Sequence, residues 1–232
     1  MKLRTVFVFL LMMSFALLAS AQYAPNPMVF QPDENIYGLS YGDWTATWWQ
    51  YLMQYTNDVN PYNDTTGARC NQDQGGPVFF LVGSPTGKDL TTRYCTVPEG
   101  KALLIPLINA ECSTIEGGTF HIANGAQGHA CAASWLEGVD KLSVTIDGMK
   151  VTGLSNYRFQ SPFYYFNVPP ENNFTGTVGP TEGWSVSDGY WLMVKPLRPG
   201  VHVIHVYAHQ MPIPLNTGGS VQNFTYVLTV SR

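Results

Sequence analysis

Sixteen residues, Ser40–Tyr55 (SYGDWTATWWQYLMQY), restrict this chain more than any other stretch. At about 100° per residue, Tyr51, Trp44, Tyr55, Trp48, Tyr41, Leu52, Trp49 and Met53 fill a continuous arc of roughly 200°. Ala46, Thr47, Gln50 and Gln54 hold the rest of the wheel. Ser40 with Asp43 three residues on has the form of a capping box. The stretch predicts a helix over 40–56, sunk into a core on most of its circumference. Large rings bury the most apolar area per residue, so the aromatics read first as core and second as a sugar-stacking platform.

The start of the chain reads as an export signal. Lys2 and Arg4 precede an apolar run from Val6 to Leu18, and Ala19-Ser20-Ala21 fits a small-residue cleavage site. The run has 13 residues, short of the ~20 that span a bilayer as a helix. Residues 1–21 are therefore expected to be a signal peptide, with no integral membrane span after cleavage. Without Lys2 and Arg4, ten basic residues face sixteen acidic ones and no basic run exceeds two. That balance argues against nucleic acid or anionic membranes as partners. Only 12% of residues are charged, so amides, hydroxyls and glycines supply much of the wetted surface.

Cys70, Cys95, Cys112 and Cys131 all follow the signal, and an even count in an exported chain predicts two disulfides. Of the three pairings, Cys70–Cys95 with Cys112–Cys131 is favoured, because each pair brackets one loop-rich segment. Each bridge would stabilise the fold by roughly 3 kcal/mol. Zinc is the competing use, without a Cys-x-x-Cys spacing to support it.

Residues 22–39, with Pro25, Pro27 and Pro32, predict an extended, loosely held entry segment. Beyond Pro61 the pattern becomes β. Val78–Val82, the turn residues SPTGKD and Arg93–Val97 read as a hairpin, and Ala102–Ile108 (ALLIPLI) as a strand buried on both faces, with Pro106 at a bulge or edge. Ser113–Ala130 is read as a Gly-rich loop and Cys131–Val139 as a short helix. Asp147-Gly148 predicts a tight hairpin. Phe163–Val168, Tyr190–Lys195, Val201–His209 and Phe224–Val230 complete the strands, with a second long loop between Pro169 and Gly189. The expected fold is mainly β: an immunoglobulin-like or jelly-roll-like β-sandwich over 40–232, with one N-terminal Trp-rich helix packed on it.

The blocks YGDWTATWW (41–49), GPVFFLVG (76–83), RYCTVPEGKALLIPLIN (93–109) and DGYWLMVKPLRPGVHVIH (188–205) carry a resemblance. Together they resemble a family of exported bacterial proteins of unassigned function. The resemblance implies a single exported domain and the pairing of Cys70 with Cys95, and brings no catalytic residue. The last block also resembles the closing strands of bacterial immunoglobulin-like sandwiches.

Four constellations bear on chemistry. His202, His205 and His209 lie on one strand, where His205 and His209 share a face but stand ~13 Å apart, too far to share a metal. Glu111, Glu116, His121 and His129 surround the Ser113–Ala130 loop and offer carboxylates and imidazoles for a metal or for acid–base work. With His205 and His209 they complete the catalytic and metal candidates. No nucleophile elbow, P-loop or dinucleotide fingerprint is present, and no cofactor is implied. The last constellation is aromatic: Trp184, Tyr190 and Tyr157 are the candidate ligand-binding residues, Trp184 foremost because its polar loop offers no apolar company. Asn63, Asn173 and Asn223 begin N-x-[ST] triplets, expected to be exposed if they are glycosylated. The leading expectation is a secreted or cell-surface binding module for a glycan or other extracellular ligand. The alternatives are an extracellular, metal-assisted hydrolase and a structural envelope or matrix protein.

Overall fold

In the computed structural model, residues 26–232 are described; the expected signal peptide and the first residues of the entry segment lie outside them. Helix α1 (Tyr41–Met53) opens the regular structure. Ser40 Oγ accepts from the Asp43 N–H at 3.2 Å, and the Asp43 carboxylate accepts from the Ser40 N–H at 3.0 Å, closing the capping box. The helix stops at Met53 rather than continuing to 56, and Tyr55 is buried just beyond it. Its indoles are anchored as well as packed: Trp44 donates to the Ile36 carbonyl (2.8 Å) and Trp48 to that of Leu81 (2.7 Å).

Ten strands follow: β1 (Val78–Phe80), β2 (Thr91–Pro98), β3 (Ala102–Ser113), β4 (Val139–Ile146), β5 (Met149–Lys150), β6 (Arg158–Gln160), β7 (Tyr164–Asn167), β8 (Glu182–Val194), β9 (Gly200–Gln210) and β10 (Ser220–Ser231). They form two five-stranded sheets. One runs β1-β3-β8-β6 with β7 also on β8; the other runs β2-β10-β9-β4-β5. The protein is thus mainly β, two sheets with a helix packed on them, as its strand pattern predicts. β3 and the second half of β8 are buried along almost their whole length. One face of this sheet receives α1, with Trp48 edge-on to Trp191 and Tyr41 stacked on Phe159 at 4.2 Å. The second sheet adds Ile204, Val206, Phe224 and Leu228 to the same core and alternates buried with solvent-facing residues.

The expected hairpin between Val78–Val82 and Arg93–Val97 does not form. β1 pairs parallel with β3, whereas β2 pairs parallel with β10 in the other sheet. The intervening turn passes the chain between sheets instead of folding it back. Pro106 does mark a bulge, where the β3–β8 register shifts between Pro106 and Ile108. The entry segment is held rather than loose. Val29 bridges to Val194, Phe30 N–H donates to the Met193 carbonyl at 2.9 Å, and Val29 and Ile36 are fully buried.

Both expected disulfides are present, Cys70–Cys95 and Cys112–Cys131. The second fastens helix α2 (Gly125–Ser134) to β3. This helix replaces much of the anticipated loop and begins earlier than Cys131. Asn124 caps it, its side chain accepting from the Gln127 N–H at 3.0 Å. Its close-packing positions are small: a Cβ on Gly128 would lie 2.6 Å from the Val186 side chain.

Candidate functional site

A cavity of about 500 Å³ opens where β3, α1, the residues just past the end of α2, the Phe174 loop and the β9–β10 connection meet. β3 supplies Ile108 through Glu111 in succession, just past the Pro106 bulge. There β8 approaches so closely that a Cβ on Gly189 would fall 2.3 Å from that of Asn109. The walls are aromatic. Trp49 comes from α1, and Phe120 and Trp135 stack face to face at 4.4 Å. Phe174 meets Trp49 edge-on at 5.6 Å. Its loop is tied to the end of α1 by the Asn57 N–H donating to the Asn172 carbonyl at 2.7 Å. Asn109, Thr175, Gln210, Asn216 and Ser220 add amides and hydroxyls to the lining.

Two glutamates line the cavity, Glu111 from β3 and Glu116 from the turn after it; their carboxyls are held by Ser185 and Ser113, which are register partners across β3 and β8. Glu111 is 4% exposed. Burial first, and then the neighbouring Glu116 charge, hold its carboxyl well above the usual carboxylate range. Burial raises Glu116 too, against a hydrogen bond it accepts from Ser113 Oγ at 2.9 Å. Proton counting around Ser185 agrees. Its hydroxyl has one hydrogen but lies 2.5 Å from Glu111 Oε2 and 2.9 Å from the Cys112 carbonyl. A protonated Glu111 resolves this by donating to the hydroxyl, which then donates to the carbonyl. The Tyr164 hydroxyl nearby is buried without a partner, and burial, then the charge of Glu111, raises it. Trp49 and Trp135, both in the cavity wall, likewise have indole N–H groups with no partner in the protein.

The structure brings together only part of what the sequence nominates. Glu111 and Glu116 meet, but His205 does not join them: it pairs with Thr225 Oγ1 at 2.9 Å on the second sheet and does not line the cavity. His209 pairs with Asp140, and His121 contacts the Glu116 carbonyl through Nδ1 at 3.0 Å. His129 has a buried Nδ1 without a partner. Among the described residues, no three His, Cys, Asp or Glu side chains converge to hold a metal. Tyr157 is 5% exposed, packed edge-on to Tyr41, and so belongs to the core rather than to a ligand surface. Tyr190 is half-buried beneath the Arg158 guanidinium, outside this cavity. Trp184 lies in strand β8, not in a loop, and has apolar company: it stacks on Phe163 at 5.1 Å and meets Tyr165 at 5.7 Å. It is 45% exposed and away from the cavity lining. Asn173, expected at the surface, is 1% exposed and donates to two backbone carbonyls.

Trp49, Asn109, Phe120, Trp135, Phe174 and Gln210 are cavity residues that the sequence did not nominate. Trp49 carried the nearest signal, an aromatic at the margin of the helical arc. No family model matches the chain, and neither a curated protein nor a solved structure matches it. Two disulfides, and no described helix long and apolar enough to cross a membrane, are compatible with an extracellular protein.

Proposed function

We propose that this chain is a secreted or cell-surface binding module that holds a glycan residue in the cavity between α1, β3 and Trp135. The observation that supports this most is the lining itself. Aromatic faces suit the C–H faces of a sugar ring, and amides and hydroxyls suit its oxygens. The export signal and the resemblance to exported bacterial proteins favour an extracellular ligand.

Filling the cavity tests the proposal without removing any native contact. Ala110 lines it and is half-buried, so Ala110→Phe places a ring in the empty volume. Soluble oligosaccharides titrated by tryptophan fluorescence should bind the native protein and lose at least tenfold in affinity for Ala110→Phe, with the circular dichroism unchanged. Equal binding by both proteins would move the site elsewhere.

A further inference from the structure

Resting on that reading, the geometry points to the class of glycan: we infer that the cavity selects a residue carrying a free primary amine, its ammonium seated on the Glu111–Glu116 pair. No described side chain beside the pair supplies a positive charge. Ser185 and Ser113 contribute hydroxyls, Tyr164 stands beside them with an unpartnered hydroxyl, and His121 reaches only the backbone carbonyl of Glu116. Among the described residues, no Lys, Arg or His nitrogen lies within 4 Å of either carboxyl group. Two neighbouring carboxyls without a cation cannot both ionise cheaply, so the free pair keeps one proton, on Glu111. An entering ammonium replaces that proton as the compensating charge.

The rest of the lining strengthens the same choice: its aromatic side chains, amides and hydroxyls suit the body of an amino sugar, which a simple alkylammonium lacks. The proton balance is explicit: the ligand enters as R–NH₃⁺, the pair goes from one proton to none, and that proton leaves to solvent. Affinity therefore rises with pH, by up to about tenfold per pH unit, over the range in which the free pair holds its proton and the ligand amine keeps its own.

Calorimetric titration compares a glucosamine tetrasaccharide with its fully N-acetylated counterpart, in buffers of different ionisation enthalpy. The amine form should bind at least tenfold more tightly and release about one proton per site. Glu111→Gln and Glu116→Gln should each remove that preference. Should Glu111→Gln fail to fold, Glu116→Gln and the proton count of the native protein decide. Equal or tighter binding of the acetylated form, blocked by Ala110→Phe, would overturn the choice of an amine and leave the glycan site standing. No binding of either form, or binding untouched by Ala110→Phe, would overturn both.

Discussion

Glu111→Gln in ligand-free protein should make the fold less sensitive to rising pH. The folded carboxyl is held well above its ordinary range by burial and by Glu116, whereas the unfolded one ionises near pH ~4.3. Below that pH both states are protonated, and the buried carboxyl carries no ionic penalty. As pH rises from there towards the folded value, the unfolded state releases a proton that the folded state retains. Stability then falls by up to about 1.4 kcal/mol per pH unit for this group. For a chain of this size that is a fall in melting temperature of roughly 3–6 °C per pH unit. The substituted amide keeps the shape of the side chain and can donate to Ser185 Oγ, yet it cannot ionise. It also removes the like charge that opposes ionisation of Glu116. Melts of both proteins from pH 4 to 8 should therefore be close at the acid end and diverge as pH rises, with the variant more stable at neutral pH. Parallel curves, or a variant several kcal/mol weaker at pH 7, would mean that Glu111 is an ionised structural group and that the protonated pair is wrong.

Trp48→Ala should cost about 3–5 kcal/mol, measured by denaturant unfolding, because a fully packed indole and its bond to the Leu81 carbonyl are both lost. Trp184→Ala should lower stability by about 2 kcal/mol, from roughly 100 Å² of buried ring, and leave oligosaccharide affinity in the cavity unchanged. A titration showing lost affinity with an unchanged melt would return Trp184 to the ligand site. Thiol titration of unfolded, unreduced protein should find close to zero reactive thiols, since all four cysteines are bridged. Two or more would contradict the fold's covalent frame.

Features written in local chemistry were legible. Ser40 and Asp43 mark a helix start, Asp147-Gly148 marks the β4–β5 turn, and ALLIPLI reads as a strand with both faces covered. What failed was pairing at a distance. Turn residues between Val82 and Arg93 announce a change of direction but not of sheet, and the parallel β1–β3 and β2–β10 ladders leave no local mark. Helix α2 escaped because Gly128 and Ala132 bury it through closeness rather than an apolar stripe. Trp184 looked like a loop residue because Gly183 and Ser185 flank it. In a strand those neighbours point the other way, into the buried side, while the indole faces outward onto Phe163. For the site, Glu111 and Glu116 were visible as neighbours in sequence. Their aromatic surroundings come from Trp49, Trp135 and Phe174, positions that only the folded chain assembles.

The cavity can be tested residue by residue through the six indole N–H resonances of the protein in ¹H–¹⁵N spectra. Trp44 and Trp48 donate to backbone carbonyls, Trp191 is sealed in the core, and Trp184 stands on another surface. Titration with the glucosamine tetrasaccharide should therefore shift the Trp49 and Trp135 signals together and saturably, leaving the other four nearly still. Movement of Trp184 alone, or of none of the six at saturating ligand, would contradict a binding site in this cavity.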